Sequence, residues 1–170
     1  LLAYSAVAHA GYTLLGLVAG GREGFSATLF YTTVYAFTLV GAFGVVGLVR
    51  RETGGDDFTH FAGLRRRSPW LAGCMAVFML SLAGIPPLAG FFGKFYLFSA
   101  ALHTAPDYGL LWLVALALLG SLISFYYYLL VLKVIFVDKT AAEGPPVQID
   151  FVQQASIATL ALIVLFASTC

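Results

Sequence analysis

Residues 70–103 form an apolar stretch of 34 residues, interrupted at its centre by "GIPPLAGFFGK". Two adjacent prolines, Pro86 and Pro87, and then a lysine, Lys94, fall inside it. One unbroken helix of that length would run about 51 Å at 1.5 Å per residue, well beyond a hydrocarbon core of about 30 Å. Split into two spans, each half has about 14 suitable residues and reaches only about 21 Å. Neither solution fits a membrane unaided, so the flanking loops must decide between them.

A membrane setting follows from composition. The 170 residues are 61% hydrophobic and 10% charged, with a mean hydropathy of +0.93, against about 25% charged residues in a typical soluble domain. The expectation is an all-α, polytopic transmembrane bundle in a single membrane domain over residues 1–170. Stretches of about 20 apolar residues mark spanning helices. They place spans at 1–19, 28–49, 109–137 and 154–170. Loop 50–69, "RRETGGDDFTHFAGLRRRSP", carries five arginines, and loop 104–108, "TAPDY", carries no Lys or Arg. Short basic loops stay cytoplasmic. Opposite sides for these two loops require one crossing between them, so 70–103 reads as one interrupted span and the chain as five. Loop 20–27 then lies outside and loop 138–153 inside.

Proline removes a backbone donor and clashes with the preceding turn, and it pushes the residue before it out of helical geometry. Pro86 and Pro87, flanked by Gly84 and Gly90, predict a helix that stops near Ala83 and restarts near Ala89, with the break near 84–89. Backbone groups freed at membrane depth persist only against protein or a watery cavity, and broken helices of this kind mark ion sites in transporters. A packing kink is the plainer reading. Lys94 lies about 13 Å along the helix from His103, too deep to reach an interface easily by snorkelling. Intramembrane charges usually face a bundle interior and mark ion pathways. Every Asp and Glu of the chain falls in a loop, so no counter-charge is evident. Desolvation disfavours the charged form of an amine, and a lysine able to exist in both forms can relay a proton. The alternative is a structural lysine bonded to carbonyls at the break.

Other polar groups carry weaker signals. His9 sits mid-span, and imidazole ordinarily changes charge near neutral pH; a hydrogen bond between helices explains it equally well. Ser121, Ser124, Tyr127 and Tyr128 could hold water, although an interfacial aromatic cluster is the commoner origin of such tyrosines. Lys133 reads as a snorkelling cation near a helix end. Tyr35 and Thr38 share one helix face and read as partners for neighbouring helices. Gly11, Gly16, Gly41, Gly44 and Gly47 read as close-packing positions. Cys74 and Cys170 are far apart, without a metal-ligand pattern, and read as structural thiols. There is no nucleotide-binding or hydrolase motif. The net charge of +1 gives no indication of nucleic acid, since the basic residues border apolar spans.

"LLAYSAVAHAGY", "DDFTHFAGLRRRSPWLA", "MLSLAGIPPLAGFFGKFYLF" and "ISFYYYLLVLKV" resemble the subunit N family of bacterial NADH:quinone oxidoreductase, respiratory complex I, over essentially the whole chain. The resemblance implies the C-terminal part of an antiporter-like subunit, roughly its last five helices, within the second of two inverted repeats. It implies a multi-pass protein of the bacterial inner membrane that translocates protons coupled to quinone reduction, with Lys94 as the protonatable residue of the broken helix and His9 as a further relay. Implied partners are other membrane subunits of the complex, antiporter-like neighbours especially, and the lipid bilayer. No cofactor or metal is expected in this chain; NADH, FMN, Fe–S clusters and quinone belong to the rest of the complex. A sodium/proton antiporter-complex subunit and a purely structural membrane subunit are the alternatives.

Overall fold

The computed structural model describes residues 2–104, 109–138 and 149–167. These are helical, with no strand among the described residues. The helices are α1 (Leu2–Ala19), α2 (Gly21–Thr53), α3 (Phe58–Phe61), α4 (Leu64–Arg67), α5 (Pro69–Ala83), α6 (Ala89–Thr104), α7 (Leu111–Phe136) and α8 (Phe151–Phe166). Three of them, α1, α2 and α7, are long and apolar enough to cross a membrane individually.

Side-chain contacts fix the direction of each leg. Along α2, Gly41 lies against Phe78 of α5, Tyr31 against Gly93 of α6, and Thr28 shares the Gly16 contact with Leu97. The numbering rises on one partner as it falls on the other. α5 and α6 therefore lie end to end, antiparallel to α2, as a single leg. α1 pairs antiparallel with α2, from Gly24 at Gly16 to His9 at Tyr31. α7 runs alongside from Gly120 at Tyr12 to Tyr128 at Ser5. α8 packs on α2 and α5, with Ile157 at Gly44 and Ala167 near Ser26 and Ala27, so it also runs antiparallel to α2. The result is five legs of alternating direction in a membrane helix bundle.

Several boundaries differ from the sequence expectation. Loop 20–27 is helical from Gly21, and the second span, expected over 28–49, is a helix from Gly21 to Thr53. Its charges suit the ends: Glu23 lies in the first turn and Arg50 and Arg51 in the last, as the helix dipole favours. Loop 50–69 holds the short helices α3 and α4, braced where Arg67 donates to the His60 carbonyl and Arg65 lies over the Phe136 ring. α8 begins at Phe151, three residues before the expected 154, after the Asp150 amide donates to Gln153 Oε1 at 3.4 Å. Loop 104–108, most of loop 138–153 and Cys170 lie wholly or largely outside the described residues.

α7 shows how the bundle sorts its faces. Val114, Ser124, Tyr128, Val131 and Ile135 are buried, whereas Trp112, Leu116, Leu119, Ile123 and Tyr126 are exposed. Both sets recur at helical spacing. The inward face carries Ser124 and Tyr128 among apolar residues, while the outward face is mostly large apolar side chains, the arrangement expected of an integral membrane protein. Cys74 is buried and unpaired.

Candidate functional site: a buried lysine at the helix break

The last turn of α5 has four carbonyls with no partner further along the helix. Two are closed by the chain itself: the amides of Gly84 and Ile85 turn back onto Ser81 O at 3.0 Å and Leu80 O at 3.1 Å. This is a Schellman termination. It needs a left-handed residue, and Gly84 supplies it at φ +81°. The other two carbonyls, of Leu82 and Ala83, are taken by Lys94 Nζ at 2.9 and 3.4 Å. The ammonium thus sits at the negative end of the α5 dipole, where a cation is favoured.

Lys94 reaches that position from the second turn of α6 because the two half-helices approach closely. A Cβ on Gly90 would run into the Ser81 carbonyl, and one on Gly84 would stand 3.2 Å from Lys94 Cδ. Ser121 Oγ of α7 accepts the third Nζ hydrogen bond at 3.1 Å, and the Tyr12 ring centroid lies 5.4 Å from Nζ, within cation–π range. Lys94 is only 5% exposed, and among the described residues it has no acidic partner.

His9 lies beside this arrangement, 2% exposed. Its Nδ1 pairs with Tyr31 Oη at 2.7 Å and its Nε2 with Tyr128 Oη at 3.0 Å. The Tyr128 hydroxyl also pairs with Ser5 Oγ at 2.6 Å. The imidazole stacks on Tyr35, with centroids 4.4 Å apart. A neutral imidazole has one donor and one acceptor nitrogen, so the chain Tyr31–His9–Tyr128–Ser5 can be polarised in either direction with every hydrogen bond kept. A cavity of about 10 Å³, lined by His9, Tyr31, Tyr35, Ser81 and Lys94 among others, joins the two groups. That is room for about one water. Two buried hydroxyls, Tyr35 Oη and Ser81 Oγ, have no hydrogen-bond partner among the described residues.

Lys94, His9, Gly84, Pro86, Pro87 and Gly90 therefore come together around one break. Pro86 and Pro87 lie in the connecting turn, joined by a cis peptide bond. Other sequence expectations are corrected. Tyr128 is fully buried against His9 and is no interfacial aromatic; Tyr126 is the tyrosine that faces outward. Thr38 turns back onto Val34 O, and Tyr35 stacks on the imidazole while its hydroxyl has no partner, so among the described residues neither hydroxyl is seen to bond a neighbouring helix. Gly11 and Gly47 face open space, unlike Gly16 and Gly41. No group of His, Cys, Asp or Glu suited to a metal occurs among the described residues.

Comparison with known proteins gives the arrangement a family. The model of the NADH:quinone oxidoreductase/Mrp antiporter transmembrane family matches residues 1–124. NADH-quinone oxidoreductase subunit N 2 of Acidobacterium capsulatum is 49% identical over 99% of this chain, and subunit N of Desulforamulus reducens is 40% identical over 99%. The chain spans about a third of the length of these relatives, 33% of each. Among solved structures, respiratory complex I from Thermus thermophilus aligns with a TM-score of 0.77 and 34% identity, over 99% of this chain and 37% of that one. The Mrp complex from Dietzia sp. aligns with a TM-score of 0.85 at 23% identity, over 99% of this chain and 39% of that one, a likeness of fold alone. The chain belongs to the NADH:quinone oxidoreductase/Mrp antiporter transmembrane family.

Proposed function

We propose that this chain is part of subunit N of a proton-translocating NADH:quinone oxidoreductase in a bacterial inner membrane. Protons cross coupled to quinone reduction, by way of Lys94 at the broken helix and His9 beside it. The observation that carries this reading is the placement of Lys94. A lysine buried at the middle of a bundle and held by the carbonyls of an interrupted helix is an arrangement typical of ion pathways. The relatives named subunit N support the choice of complex.

Within this reading the chain performs no redox chemistry. NADH, FMN, Fe–S clusters and quinone are bound by other subunits, and the chain's neighbours are membrane subunits, antiporter-like ones among them. Its own residues hold a proton at Lys94 Nζ and pass one along the His9 chain, while the apolar bundle keeps bulk water out.

The test is NADH-driven proton uptake by membrane vesicles carrying the complex with the full-length subunit, with and without sodium. Uptake that is independent of sodium and tied to NADH oxidation is expected. Uptake that requires sodium, or that follows an imposed sodium gradient without NADH, would overturn the reading in favour of exchange.

A further inference from the structure

The three hydrogen-bond partners of Lys94 are not equivalent. An ammonium offers three donors, and here they meet the Leu82 carbonyl, the Ala83 carbonyl and the Ser121 hydroxyl. Carbonyl oxygens only accept, whereas a serine hydroxyl both accepts and donates. Two partners can therefore hold the charged lysine but can neither take a proton from it nor return one. We propose, on the basis of the proton-translocating reading above, that Ser121 is the group through which Lys94 exchanges its proton.

The step balances without breaking the site. A Lys94 N–H proton passes to Ser121 Oγ as the serine's own O–H proton passes to the next hydroxyl or water. Lys94 is left as a neutral amine. Its two remaining N–H groups stay on Leu82 O and Ala83 O, and its new lone pair accepts from the Ser121 hydroxyl. Three hydrogen bonds exist before and after; only the polarity of the one to Ser121 has reversed. Return of the proton runs the same exchange backwards.

An onward group is present. The Tyr12 hydroxyl is buried, lies within interaction range of the Ser121 and Ser124 hydroxyls, and stands 3.6 Å from where a Cβ on Gly120 would be. It is thus beside the turn of α7 that carries Ser121. Ser124, one turn further on, accepts from Tyr127 Oη at 2.9 Å and donates to Gly120 O at 2.8 Å. The hydroxyls of Ser121, Ser124 and Tyr127 form a stripe along α7. Lys94 delivers to one end of it.

The experiment uses the full-length subunit in the assembled complex, in vesicles, with Ser121→Ala, Ser121→Thr and Lys94→Met compared with wild type. Ser121→Ala is expected to lower the initial rate of coupled proton uptake by about a hundredfold, the weak end of what a lost positioned proton-transfer group costs. It should also raise the solvent deuterium isotope effect on that rate, which a packing defect would leave alone. Ser121→Thr, which keeps the hydroxyl, should restore most of the rate. If Lys94→Met abolishes uptake while Ser121→Ala pumps at the wild-type rate, the exchange role of Ser121 is overturned and the function of Lys94 stands. If Lys94→Met pumps normally, the underlying reading fails, and this inference fails with it.

Discussion

Lys94 Nζ lies 2.9 Å from the carbonyl oxygen of Leu82, twelve residues earlier in the chain, and so completes the end of a helix to which it does not belong. The contact depends on how the chain leaves that helix. Gly84 carries the left-handed turn, and its Cα faces the lysine stem.

Gly84→Ala should disturb both features. A non-glycine residue at positive φ costs about 1–2 kcal/mol, and the new methyl would stand 3.2 Å from Lys94 Cδ and 3.3 Å from Nζ. The complex should assemble with a lowered melting temperature in detergent, and coupled proton uptake should fall more than NADH oxidation by an artificial acceptor. Thermal unfolding and uptake measured on one preparation check this.

Gly90→Ala tests the contact between the half-helices. Its Cβ would overlap the Ser81 carbonyl, and backbone cannot swing aside as a side chain can. Overpacking of this kind costs about 1–3 kcal/mol, so less assembled complex is expected by native gel. Gly47→Ala, where a Cβ meets nothing within 4 Å, should assemble normally.

Tyr128→Phe keeps the ring and removes the hydroxyl that serves both His9 and Ser5. Leaving buried groups without a partner costs about 1–3 kcal/mol, and the hydrogen-bonded chain through the imidazole is cut. A lower melting temperature and slower coupled proton uptake are expected. Tyr126→Phe, on the outer face and 67% exposed, should change neither.

The break was legible in the sequence because its cause is local. Two prolines and a glycine have steric consequences that no packing reverses, and the helices end at Ala83 and restart at Ala89 as those residues dictate. Lys94 was legible because a charge within an apolar run needs a reason. Carbonyls at the break were legible as candidate partners, but which two of them, and Ser121 of α7, only the fold shows. Tyr128 was harder still. Three consecutive tyrosines point in three directions, and packing alone selects the inward one. A signal was available in the spacing of Ser121, Ser124 and Tyr128, a polar stripe at three- and four-residue intervals in an otherwise apolar helix. The ends of α2 are hidden in the sequence for the opposite reason. Gly21, Arg22 and Glu23 look like a loop, yet they form the first turn of a helix that extends beyond its apolar segment.

The most direct test of the central claim is the number of protons taken up per NADH oxidised in vesicles bearing the full-length subunit with Lys94→Met, with assembly verified. Methionine preserves much of the side chain's bulk but cannot hold a proton. The account predicts an assembled complex in which that ratio, or coupled turnover itself, falls sharply. An assembled complex with an unchanged ratio and an unchanged rate would contradict it, leaving the lysine as a structural cap on α5.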